Sequence, residues 1–99
     1  MAAMVFEEYQ DTLTGDSPPA GLSPLLAALW WEAKGNWEKA HMIAQEIESP
    51  DAARVHAYLH RKEGDLANAG YWYRRAGVTP SRSPLNLEWE EIVHALLEG

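Results

Sequence analysis

An all-α fold of short antiparallel helices is the architecture this sequence predicts, and three observations predict it. Apolar residues recur at helical spacing in several stretches, no stretch alternates at period two over a useful length, and Ser-Pro and glycine punctuate the periodic segments. Ser23-Pro24, Ser49-Pro50 and Ser83-Pro84 each precede an apolar run. A serine hydroxyl accepts a hydrogen bond from an unpaired first-turn amide, and proline at the first helical position loses no useful donor. Gly35, Gly64, Gly77 and Gly99 stand where helices should stop, and Asn36 and Asp65 directly follow two of them as caps for the next helix.

These signals place six helices. The first, about 3–13, carries Val5, Phe6, Tyr9 and Leu13 on one stripe and gives way to the Pro/Gly-rich turn region TGDSPPAGLSP, 14–24. The second (24–34) and third (37–48) are separated by Gly35-Asn36, and the fourth (50–63) and fifth (66–76) by Gly64-Asp65. After a second turn region, GVTPSRSP (77–84), the sixth helix, 84–98, has Leu85, Trp89, Ile92, Val93, Leu96 and Leu97 at helical spacing. With 99 residues, one domain over 1–99 is expected. A chain of this length buries roughly two-thirds of its unfolded surface, enough for a core without staples.

The composition narrows the setting. There is no cysteine, which excludes disulfides and thiolate metal sites and fits a reducing compartment. MAAMVFEEYQD lacks the basic segment of a signal peptide, and no apolar run approaches the ~20 residues needed to span a bilayer, so a soluble, cytoplasmic protein is expected. The net charge is −7, and all of it lies in residues 1–51; residues 52–99 balance to zero. Within 54–82, Arg54, Arg61, Lys62, Arg74, Arg75 and Arg82 face only Glu63 and Asp65. An acidic chain argues against general nucleic-acid binding, while the basic patch suits an anionic ligand or an acidic partner segment. The contrast between an acidic first half and a basic middle also leaves room for self-association into a homo-oligomer.

The chain repeats itself at an offset of 29: Gly35-Asn36-Trp37 falls on Gly64-Asp65-Leu66, Ala40 on Ala69, Ala44 on Tyr73, Ile47 on Ala76 and Ala28 on Ala57. Each unit, about 23–48 and 50–77, is helix, G-[ND]-[WL], helix, with small residues at facing positions. This resembles the tetratricopeptide repeat. EGDLANAGYWYRRA (63–76) fills the signature slots with Gly64, Asp65, Leu66, Ala69, Tyr73 and Ala76, whereas the first unit departs at Ala44 and Ile47. The offset is shorter than the family's repeat of about 34 residues, and two units fall below the roughly three such stacks need. The resemblance implies two stacked antiparallel hairpins closed by the terminal helices 3–13 and 84–98. It further implies a small protein- or peptide-binding module whose groove is lined by the first helix of each unit: Arg54, Tyr58, Arg61 and Lys62 from the second, Leu25, Leu29 and Glu32 from the first. Arg54, Tyr58 and Arg61 also share one helix face by spacing, and guanidinium groups beside a tyrosine suit carboxylates or phosphates.

In the repeat register His56 and His60 replace Ala27 and Trp31, an apolar pair on an inward face. Helical spacing alone puts Ala52, Val55 and Leu59 on the core stripe instead, and both hold if this helix is contacted on two sides. A buried imidazole needs hydrogen-bond partners, and Tyr73 on the second helix of the same unit is the expected one. The alternative function is a small-ligand, metal-binding or enzymatic site around His56, His60 and Tyr73. Histidines at i and i+4 can share one ion, but two same-helix ligands do not make a site, and a third would have to come from His41, Glu63 or Asp65. No metal site and no cofactor are therefore expected, and zinc or nickel should leave the melting temperature unchanged. No nucleophile–base motif or phosphate-binding glycine loop is present, and the H-E-x-x-H pattern is missing. In YWYRR (71–75), Tyr73 is expected inward, Trp72 at the edge, and Tyr71, Arg74 and Arg75 outward.

Overall fold

Two glycine-to-cap turns organise the middle of the chain. Gly35 and Gly64 adopt φ of 89° and 92°, a left-handed conformation that residues with a Cβ resist. The next side chain then starts a helix: Asn36 Oδ1 accepts from Lys39 N, and Asp65 Oδ1 from Asn68 N, each at 3.1 Å. The computed structural model describes residues 4–99. Among these residues there are six α-helices and no strand: α1 (Phe6–Asp11), α2 (Pro24–Ala33), α3 (Trp37–Gln45), α4 (Pro50–Glu63), α5 (Leu66–Ala76) and α6 (Leu85–Glu98), with a 3₁₀ turn at Thr12–Thr14 after α1.

The all-α expectation holds, and α4 and α5 carry the expected bounds. The start at residue 3 expected for the first helix lies outside the described residues. Its regular part ends early because the hydroxyls of Thr12 and Thr14 donate back to the carbonyls of Tyr9 and Asp11, tightening the chain into the 3₁₀ turn. Helix α3 stops at Gln45 instead of 48, and the chain turns at Glu46 and runs on to Ser49, which precedes a proline and is extended at φ −162° and ψ 160°.

Ser23 and Ser49 cap α2 and α4 through the amides of Leu26 and Ala52. The third Ser-Pro behaves differently. Pro84 itself occupies the cap position of α6 with no side-chain bond, and the Ser83 carbonyl is taken by Arg61. Ser49→Ala should therefore cost about 1 kcal/mol in denaturant unfolding. Ser83→Ala, by contrast, should stay within about 0.5 kcal/mol.

Helices α2 and α3 pack on each other, as do α4 and α5, and α3 also lies along α4. Helix α6 crosses α2 and α4 and touches α1. The main core forms between them from Leu29, Trp30, Val55, Leu59, Ile92 and Val93, none more than 1% exposed. Indole and phenol groups stitch it to backbone carbonyls: Trp89 Nε1 to Leu29 O at 3.0 Å, Tyr9 Oη to Leu26 O at 2.6 Å, and Trp37 Nε1 to Leu59 O at 2.7 Å. Helix α4 is enclosed on both sides, so that from Ala52 to His60 every residue except Arg54 is buried. That resolves the two competing stripes of the sequence: both are inside.

Candidate functional site

The basic set expected to line a free groove is already engaged. Tyr58 is 2% exposed, and its hydroxyl donates to Glu32 Oε2 at 3.3 Å. Lys62 Nζ pairs with Glu32 Oε1. Arg61 Nη1 donates to Glu88 Oε1 at 2.8 Å while Nη2 reaches the Ser83 carbonyl. Leu25 and Leu29 are buried as well. Of the four, only Arg54, half-buried, makes no side-chain hydrogen bond or ion pair among the described residues. The physical reason is Glu32 of α2 for Tyr58 and Lys62, and α6 for Arg61. Helix α6 lies on the α2–α4 face, and its Glu88, 1% exposed, is the acidic group that Arg61 holds.

Tyr73 departs from expectation too. It does point inward, but its hydroxyl donates to Glu88 Oε2 at 2.5 Å and leaves both histidines without it. Burial, followed by the neighbouring Glu88, raises the Tyr73 phenol well above its ordinary value, and burial with Glu32 does the same for Tyr58. Glu32 and Glu88 thus each hold one cation and one tyrosine hydroxyl, the hydrogen bonding a buried carboxylate requires. The signal for them was available: Glu32 continues the Leu25–Leu29 stripe, and Glu88 lies one turn before Ile92. A carboxylate at core spacing marks a buried ion pair.

The histidines sit on the opposite flank of α4. A cleft of about 710 Å³ runs between α3 and α5, floored by α4. Ala40 and Ala44 are fully buried, so α3 approaches α4 closely and swings His41 over His56 and His60. Ring centroids lie 4.9 Å apart for His41–His56, 5.2 Å for His41–His60 and 6.0 Å for His56–His60. Two indoles brace the rings: Trp37 stacks on His41 at 4.9 Å, and Trp72 on His56 at 4.1 Å. His60 Nδ1 is 2.6 Å from Glu63 Oε2, whereas His56 Nδ1 is buried and has no partner among the described residues.

Burial, reinforced by the other two rings, pushes the His56 imidazole down to about 4 against the opposing pull of the Ala44 backbone. His41 is lowered as well, by burial and then by His60, with Glu63 opposing. Both rings are therefore neutral at pH 7, with a lone pair each.

The outer wall of the cleft is the exposed edge of α5, disposed as the sequence predicts. Arg75 Nη1 donates to Tyr71 Oη at 3.0 Å, and its guanidinium lies 5.4 Å from the Trp72 ring centroid. Asn68 stands above His60, and Glu48 marks the opposite lip.

Fold and site together define a small all-helical protein with a buried two-carboxylate network on one side of α4 and an open imidazole–aromatic cleft on the other. No family model matches the chain, and no curated protein or solved structure matches it. None of the helices among the described residues is long and apolar enough to cross a membrane.

Proposed function

We propose that this protein is a small tetratricopeptide-like interaction module that takes an acidic protein or peptide segment, and that the segment docks in the α3–α5 cleft and not on the α2–α4 face. The matching turns at Gly35-Asn36 and Gly64-Asp65 support the repeat reading. One observation carries the choice of surface. The α2–α4 face is covered by the chain's own acidic helix α6 except for a cleft of about 550 Å³ where Tyr58 and Lys62 are already paired with Glu32, while Arg75, braced by Tyr71 and Trp72, presents a guanidinium at the mouth of an open cleft. A planar cation held against aromatic rings offers a carboxylate a preformed fork, with Arg74 exposed beside it.

The test uses a short acidic peptide selected by the wild-type protein from a displayed library. Arg75→Glu should weaken its binding by roughly tenfold or more, about 1.4 kcal/mol or above. The wild-type affinity should fall as salt rises, because exposed charges are screened. Arg54→Glu should leave binding unchanged. Equal affinity in Arg75→Glu, with no salt dependence, would place recognition elsewhere. Arg61→Glu is unsuitable as a probe, since it sets a second carboxylate against buried Glu88.

The second reading, a small-ligand, metal-binding or enzymatic site around His56 and His60, draws support from the unpartnered Nδ1 of His56 and the arrival of His41. Tyr73 has no part in it, being turned to Glu88.

A further inference from the structure

We propose that His41, His56 and His60 form a binding site for a divalent transition-metal ion of the zinc class, with its fourth coordination position open to the cleft. The sequence placed two ligands on one helix and left the third open among His41, Glu63 and Asp65; the packing of α3 on α4 brings His41 to the pair. One ring nitrogen from each of the three lies within 4.8 Å of the others. A tetrahedral zinc site has Zn–N bonds of about 2.0–2.1 Å, which sets neighbouring nitrogens about 3.3 Å apart. Closing that gap takes about 1.5 Å at most between any two of the nitrogens, a shift the proposal assigns to side-chain rotation.

A second observation points to a ligand independently of the clustering. His56 lines the cleft and is only 3% exposed, and its Nδ1 is buried with no hydrogen-bond partner among the described residues. Native proteins rarely leave such an atom orphaned, and a bound ion is one way to satisfy it. The surroundings are also those of a metal site. Glu63 accepts from His60 Nδ1 at 2.6 Å, which fixes the ring and leaves the lone pair on Nε2, with only the Asn68 amide near it at 3.5 Å, the carboxylate–histidine arrangement that orients metal ligands. Trp37 and Trp72 hold the other two rings by stacking.

Three imidazoles with no carboxylate select zinc, copper or nickel over magnesium or calcium, which take oxygen donors. The other grouping, His60 with Glu63 and Asp65, is the weaker candidate. Glu63 and Asp65 are exposed, and Asp65 Oδ1 already caps α5. Three protein ligands plus an open position is the stoichiometry of a site that receives a further donor, such as water or a ligand carboxylate.

The experiment is a titration of the full, tag-free chain with zinc chloride, followed by calorimetry and by the histidine ring resonances in NMR. One ion per chain is expected, with a melting temperature several degrees higher at excess metal and three of the four histidines shifted, His94 being the unaffected one. Tetrahedral d–d bands from cobalt(II) should appear and be displaced by zinc. His41→Gln, at a half-buried position, should abolish tight binding while remaining helical, and Glu63→Gln should weaken it about 10–100-fold. Absence of stoichiometric binding, shifts at His94, or zinc affinity unchanged in both variants would overturn the proposal. The NMR result on the wild type stands even where a variant fails to fold. Arg75→Glu separates this site from the docking reading: it should lose the acidic peptide and retain zinc. Peptide binding without zinc binding defeats the metal site alone.

Discussion

Replacing Glu88 with alanine is expected to destabilise the protein by about 3–5 kcal/mol, the cost of breaking a buried ion pair by removing one partner. Glu88 is 1% exposed and accepts from Arg61 at 2.8 Å and from Tyr73 at 2.5 Å. Its loss leaves a guanidinium with only the Ser83 carbonyl and a phenol hydroxyl with nothing. Glu88→Gln keeps an acceptor for one of them and should cost less. Urea unfolding of Glu88→Ala, Arg61→Met and the double variant gives the coupling directly. The double variant should recover part of the loss, because neither charge remains stranded. A cost below about 1 kcal/mol for Glu88→Ala would mean that α6 is held by its apolar stripe alone.

Local chemistry was legible in the sequence, and long-range partnership was not. Ser49-Pro50 and the two Gly-Asx steps act through atoms three residues away, so their geometry follows from the local chain. The arginines show the contrast. Arg54, Tyr58 and Arg61 share a face by spacing, but what covers that face is a helix centred some thirty residues later, and Glu88 differs in pattern from Glu90 and Glu91 only by its rotation about the helix. Arg61, expected to meet a separate acidic partner, instead pairs with Glu88 of its own chain. His56 and His60 were visible as polar residues on an inward face. Their meeting with His41 depends on how closely α3 approaches α4, which two alanines decide.

Deleting residues 85–99 is expected to abolish cooperative folding. Helix α6 contributes Trp89, Ile92 and Val93 to the main core, and fully burying one large apolar side chain contributes about 1.5–3 kcal/mol. Three of them, added to the buried Glu88 network, approach the whole stability of an ordinary small domain, about 5–15 kcal/mol. The truncated chain would also expose Leu29, Val55 and Leu59, now sealed. Circular dichroism with thermal melting should show reduced helicity and no sharp transition. Adding a synthetic peptide of residues 84–99 should restore one, since Trp89 regains the Leu29 carbonyl and Glu88 regains Arg61 and Tyr73. The result bears on function as much as on stability. A truncated chain that melts like the full one would make α6 a removable occupant of the α2–α4 face, and Arg61, released from Glu88, would then join Arg54 as a free cation there. Collapse on truncation makes that face part of the core, which is what the proposed docking of an acidic segment between α3 and α5 requires.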